Sequence, residues 1–224
     1  MTPAAAISSF LTERITAGDF PSAVYLVAER GREMFADALG NAVVEPRHIA
    51  ATFDTIYDLA SLTKPLLTGL LCARRIEAGE LALDGSVSQY LPEFARADKE
   101  AITIRELLTH TSGLPAWRPV YILAKGERDG AVSAIANLDL EYKPGTRVVY
   151  SDLGFIVLGL LLERLKAKSL TTLAQSEIFQ PLNLKRTVFN PETAMQTGIA
   201  ACETGNAYER EMSGDSEGGY KNWR

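Results

Sequence analysis

Ser61-Leu62-Thr63-Lys64 pairs a hydroxyl with an amine three residues on, a spacing that places both on one face of a helix. A hydroxyl at a helix start lies near unpaired backbone N–H groups and the positive end of the helix dipole. Both favour a developing negative charge. An amine buried among leucines loses several pKa units and can then take up a proton near neutral pH. The chemistry this pairing suggests is attack by Ser61 on a carbonyl carbon, with Lys64 as its base. An N-cap serine beside a solvated lysine explains the same four residues equally well. By composition, about one S-x-x-K match arises by chance in a chain this long.

Two further constellations bear on that choice. Tyr150-Ser151-Asp152 follows a turn and opens a strongly patterned helix. A tyrosine hydroxyl there can relay a proton from nucleophile to leaving group. Asp152 can hold Lys64 in place or bond to substrate. Taken alone, the triplet also reads as a buried tyrosine with a helix cap. The stretch Leu107-Leu108-Thr109-His110-Thr111-Ser112-Gly113-Leu114-Pro115 places a histidine two residues from a serine. That separation is poor geometry for a base and its nucleophile, so a structural turn is the better reading of His110 and Ser112.

These side chains need elements to position them. Thr2-Pro3 opens a helix with Ile7, Phe10, Leu11 and Ile15 at helical spacing, and Gly18 ends it. Residues 22–29 read as a strand, and Arg30-Gly31-Arg32 as the turn into a second strand ending near Gly40. Residues 53–60 form an extended lead-in to a helix from about Ser61 to Ala78, since Pro65 is tolerated only in a first turn. Thr103 and Glu106 form a capping box for a short helix through Leu108. Two short helices divided near Gly130 are expected over 118–138, a turn at Lys143-Pro144-Gly145-Thr146, and a helix from Ser151 or Asp152 past Leu165. Another helix covers about 170–179. Residues 203–224, rich in glycine and charge, read as a surface loop or tail. The expected organisation is thus 1–60 for the first helix and strands, 61–190 for a mostly helical region, and 191–224 for the polar tail. Two early strands and no late ones describe a sheet that lacks strands.

Composition excludes several functions. The 224 residues carry a formal charge of −5, with 23 basic residues scattered among 28 acidic ones, so no nucleic-acid partner is expected. Apolar runs such as 155–162 are too short to span a membrane. Two cysteines, Cys72 and Cys202, read as free thiols, one on a helix and one in a loop. With two histidines and no cysteine cluster, neither a zinc site nor any other cofactor is expected. The N-terminus lacks a secretory signal. The expected location is cytoplasmic if Met1 is native, and periplasmic or secreted if a signal peptide has been removed.

Tyr57-Asp58-Leu59-Ala60-Ser61-Leu62-Thr63-Lys64, the Leu-Leu-Thr-His-Thr-Ser-Gly-Leu-Pro stretch, Pro144-Gly145 and Tyr150-Ser151-Asp152-Leu153-Gly154-Phe155 together resemble one family in its order. It comprises the class C serine β-lactamases, the related D-alanyl-D-alanine peptidases and the esterases of their fold. The resemblance covers roughly residues 10–200. It implies an α+β fold of β-lactamase/transpeptidase type, an antiparallel sheet flanked by helices with a mostly helical subdomain. It further implies Ser61 as acylated nucleophile, Lys64 as base or electrostatic helper, and Tyr150 as proton relay. The Ser61 N–H would help stabilise the oxyanion, and no cofactor is needed. The substrate would be a small ester or a lactam.

Two departures from the family stand out. Asp152 occupies a position where the family more often has Asn, which disturbs the local charge. The family's third motif, Lys-Thr-Gly or His-x-Gly on a late strand, has no counterpart after Tyr150. The expectation is a chain that stops before the C-terminal strands, completed by a second polypeptide or by self-association and weakly active alone. A non-catalytic binder of the same fold is the alternative. The α/β-hydrolase fold is disfavoured, because the chain holds no G-x-S-x-G elbow.

Overall fold

A computed structural model describes residues 2–96, 98–128, 130–202 and 211. These residues form two compact units: 2–59 with 188–202, and 60–187. The expected tail over 203–224 lies outside the described residues, apart from Glu211.

The first unit is built on a hairpin. Helix α1 (Pro3–Ala17) begins where the Thr2 hydroxyl accepts from the Ala5 N–H and ends at Gly18, whose φ of 83° is the left-handed cap. Strand β1 (Ser22–Glu29) pairs antiparallel with β2 (Arg32–Val43), from Ser22 opposite Gly40 to Glu29 opposite Arg32. A bulge interrupts the register between Val27 and Ala28. The second strand runs three residues past its expected end. Its last residues pair with a two-residue strand that the pattern did not disclose, β3 (Ile49–Ala50), giving the order β1-β2-β3. A pair of residues has too few side chains to show alternation, so β3 is visible only through its partners. Ile56 makes a parallel bridge to Ile199 in the same unit. The Ser8 hydroxyl ties α1 to the hairpin, donating to Asp37 at 2.6 Å and lying 2.8 Å from the Tyr25 hydroxyl.

The second unit is built of helices, with one isolated antiparallel bridge between Ser86 and Thr103 among the described residues. Its centre is α6 (Asp152–Lys166), which buries Leu153, Val157, Leu158, Leu161 and Leu162. Around it pack α2 (Leu70–Glu77), α3 (Ile104–Leu108), α5 (Gly130–Ala136) and α7 (Leu170–Ala174). The short α4 (Val120–Leu123) lies against α5. The capping box at Thr103 and Glu106 is present in both directions, and α4 and α5 are the two expected short helices.

The expected helix from Ser61 has a different interior. A 3₁₀ turn at Ala60–Leu62 leads into a π-helical segment, Lys64–Gly69, and regular α geometry begins only at Leu70. Pro65 lies in the first turn of this segment, where a missing N–H leaves no intrahelical partner unserved. Leu67 and Leu71 turn inward, whereas Leu62, Leu66 and Leu70 are 56%, 54% and 40% exposed. A second π segment, Gln175–Phe179, continues α7, so the expected helix over 170–179 exists with a widened second half. Cys72 is fully buried and Cys202 exposed, both as free thiols.

Candidate active site

All the residues singled out for chemistry lie in the helical unit, and four segments bring them together. Ser61 occupies the 3₁₀ turn, where its side chain is open to solvent. Ala60 just before it has a φ of 42°, a left-handed backbone that costs a residue with a Cβ about 1–2 kcal/mol. That turn throws Ser61 outward, while Lys64 one turn on returns to it. The Lys64 Nζ donates to Ser61 Oγ at 3.0 Å. The same ammonium lies 2.6 Å from Asp152 Oδ1, with only 15% of the lysine side chain exposed. It also stands 4.9 Å from the centre of the Tyr150 ring.

This environment opposes the pKa loss expected of a lysine buried among leucines. Burial does pull its pKa down, but hydrogen bonding and charge attraction from Asp152 and Tyr150 outweigh burial, and the net shift is upward from 10.5. Lys64 is therefore an ammonium at neutral pH and a donor to Ser61. Sequence pattern shows a lysine among leucines but not the carboxylate that a later helix delivers to it. Asp152, expected against Lys64 or against substrate, takes the first of these places. Its backbone N–H donates to the Ala116 carbonyl at 2.8 Å, which fixes the start of α6. Ser151 rather than Asp152 is the cap, accepting from the Gly154 N–H.

The Thr109–Pro115 stretch is the frame on which the Tyr150 segment hangs. The Val149 N–H donates to the His110 carbonyl at 2.9 Å, and the Ser151 hydroxyl donates to the Pro115 carbonyl at 2.7 Å. The Gly145 N–H donates to the Thr111 carbonyl at 2.8 Å, and the Glu141 N–H to the Gly113 carbonyl at 2.9 Å. Gly113 has a φ of 80°, and a Cβ there would run into the Tyr142 carbonyl oxygen, so only glycine fits. Ser112 is buried and accepts from the Leu114 N–H at 3.4 Å. His110 and Ser112 thus do not form a catalytic pair, as their spacing implied. What the spacing did not reveal is that the His110 imidazole reaches the Tyr150 segment. Its Nδ1 accepts from the Ser151 N–H at 3.1 Å, and its ring lies 4.7 Å from that of Tyr150.

No group of three or more His, Cys, Asp or Glu residues suited to a metal ion occurs among the described residues. No helix there is long and apolar enough to cross a membrane. The arrangement offers a solvent-open hydroxyl, a half-buried ammonium hydrogen-bonded to its oxygen, and a phenol ring beside that ammonium. That set can activate an alcohol for acyl transfer and can move a proton without a metal.

Comparison with known proteins bears on this geometry. A family model described as Beta-lactamase matches residues 7–220. The N-acetylmuramyl-L-alanine amidase of Bacillus subtilis (strain 168) is 33% identical over 199 residues, which cover 81% of this chain and 45% of that protein. EstCE1, a hydrolase with promiscuous acyltransferase activity, superposes with a TM-score of 0.75 at 30% identity. That match covers 90% of this chain and 57% of the other. A class C beta lactamase shares the fold at a TM-score of 0.77 and 21% identity, over 88% of this chain and 53% of the other. The chain spans about half the length of the relatives it matches.

Proposed function

This chain belongs to the beta-lactamase family, and on that premise we propose that it carries the nucleophile of a serine hydrolase that cleaves esters or amides through an acyl-enzyme on Ser61. The observation that carries the reading is the contact of Lys64 Nζ with Ser61 Oγ at 3.0 Å, made while the same ammonium is paired with Asp152.

In the first half-reaction the Ser61 Oγ bonds to the substrate carbonyl carbon. The Ser61 proton passes to the Tyr150 oxygen as the Tyr150 hydroxyl gives its own proton to the departing alcohol or amine. Lys64 stays an ammonium throughout and stabilises the oxygen on which negative charge gathers. Asp152 keeps that ammonium in place. Water then attacks the acyl carbon, the ester bond to Ser61 breaks, and the relay runs in reverse. A hydroxyl that accepts one proton while donating another undergoes no net charge change. A permanently charged Lys64 is compatible with such a relay.

Small esters are the favoured substrates. The 30% identical structural relative is named as a hydrolase with acyltransferase activity. The charges of Lys64 and Asp152 cancel within their ion pair, which offers no net positive charge to a carboxylate-bearing lactam.

Intact-mass analysis before and after incubation with a fluorophosphonate, and separately with a penicillin, tests the proposal. One phosphonyl adduct on the wild-type chain and none on Ser61→Ala is the expected result. A folded wild-type chain that takes up no phosphonyl group, or an adduct that survives Ser61→Ala, overturns it. A penicillin adduct that forms and persists would assign a binder rather than a turnover enzyme.

A further inference from the structure

His110 is held in an unusual way for a residue outside the proton relay. Its φ of 58° lies in the left-handed region that non-glycine residues seldom adopt, so surrounding contacts must over-determine it. Most of those contacts fall on the segment around Tyr150. The His110 carbonyl accepts from the N–H of Val149, the residue before Tyr150, at 2.9 Å. Its Nδ1 accepts from the N–H of Ser151, the residue after Tyr150, at 3.1 Å. Its ring lies between those of Tyr150 and Phe155, with centroids 4.7 and 5.1 Å away and both planes tilted by 36°. The Tyr142 hydroxyl donates to the same carbonyl at 3.3 Å.

We infer that His110 is a positioning residue for Tyr150, a three-point clamp that aims the phenol at Ser61 and works only while its imidazole is neutral.

The requirement for neutrality follows from the hydrogen bond. An Nδ1 that accepts from a backbone N–H has no proton of its own, so the ring proton of the neutral form sits on Nε2. A second proton would turn Nδ1 into a donor facing another donor. Three neighbouring segments bring titratable or charged groups to the ring: Lys64 from the π segment, Asp152 from α6, and the phenols of Tyr142 and Tyr150. Burial, and then the Lys64 charge, push the His110 pKa below 6.5, against a smaller opposing pull from Asp152. His110 thus stays neutral at physiological pH, and its folded-state pKa lies below the unfolded value. The clamp is intact above about 6.5, the ordinary histidine value, and is lost as pH falls through the lower folded value.

The test has two arms, because the clamp rests on the proposed role of Tyr150. The first arm needs no activity. Nitrogen-15 NMR of the imidazoles has only two residues to resolve, His48 and His110, and a His48→Gln variant assigns them. The expected His110 spectrum is the Nε2–H tautomer, titrating below 6.5. An Nδ1–H tautomer, or titration above that value, overturns the clamp.

The second arm follows the rate of Ser61 phosphonylation against pH. Wild type should slow on the acid side as His110 protonates. Asparagine tolerates left-handed backbone and can accept from Ser151 without titrating, so His110→Asn should lose that acid limb. His110→Ala should be slower by about 10- to 100-fold near neutral pH, the scale of a misplaced catalytic group. An acid limb unchanged in His110→Asn, or an alanine variant as fast as wild type, refutes the positioning role. If wild-type Ser61 takes no phosphonate while the tautomer is as expected, the hydrolase reading fails and the backbone clamp survives.

Discussion

The two units of this chain are stabilised in different ways. In the helical unit, α6 buries leucines and a phenylalanine among those of its neighbours: Leu153, Leu158, Leu161 and Leu162 are fully buried, as are Ile104 and Leu107. In the sheet unit the buried apolar residues, among those described, are three alanines, Ala42, Ala51 and Ala200, with Val24 and Tyr57 partly buried against them. Each fully buried leucine contributes about 1.5–3 kcal/mol relative to an exposed one, and an alanine far less. The hairpin is therefore held by its ladder, by α1 and by polar ties such as Ser8 to Asp37, while Leu26 and Met34 are 59% and 55% exposed. Strands in small sheets with one uncovered face have little independent stability. The comparison shows why the candidate active site sits where it does. Ser61, Lys64, Tyr150 and Asp152 all project from the unit whose packing can hold a side chain still. One part of that unit resembles the sheet instead. The outer face of its first helix carries Leu62, Leu66 and Leu70 in the open, beside Ser61.

If this contrast is right, Leu158→Ala should be the most damaging change, destabilising the helical unit by about 2–5 kcal/mol in chemical denaturation. Leu26→Ala, a substitution of the same type in β1, should stay within about 0.5 kcal/mol. Equal effects at the two positions would erase the distinction between the units. Gly113→Ala comes next, since it combines a left-handed backbone with a collision against the Tyr142 carbonyl. A loss of about 1–3 kcal/mol is expected, with a slower Ser61 acylation because the frame under Tyr150 shifts. Hydrogen exchange offers a readout without mutation: amides of β1 and β2 should exchange faster than those in the middle of α6. Protection in the hairpin matching that of α6 would contradict the view that the sheet unit lacks a core.

Asp152→Asn should show itself most clearly in pH dependence. Asp152 raises the Lys64 pKa, so the folded value lies above the unfolded one. The stabilisation from this pair is complete below 10.5 and disappears as pH rises through the folded value. With asparagine in its place, burial acts on Lys64 with less opposition. The alkaline limb of Ser61 phosphonylation should then move to lower pH. An alkaline limb that stays put would show that Lys64 does not govern it.

Local signals in the sequence were sufficient for much of this architecture. Thr2, Pro3 and Gly18 marked both ends of α1, because caps and stops depend only on residues within one turn. The same holds for the Thr103 and Glu106 capping box, for β1 and for the turn at Gly145. Four separated motifs in order also sufficed to name the family that the chain belongs to. Tertiary structure alone decided the rest. A two-residue β3 and the bridge from Ile56 to Ile199 exist only through partners distant in the chain. The π geometry after Ser61 arises where a proline meets the packing of Leu67 and Leu71. The charged surroundings of Lys64 depended on Asp152, 88 positions later, arriving within 2.6 Å. The use of His110 depended in the same way on Ser151 and Tyr150. Charge state and aim are properties of an environment, and residues far apart in the chain build that environment only when the fold brings them together.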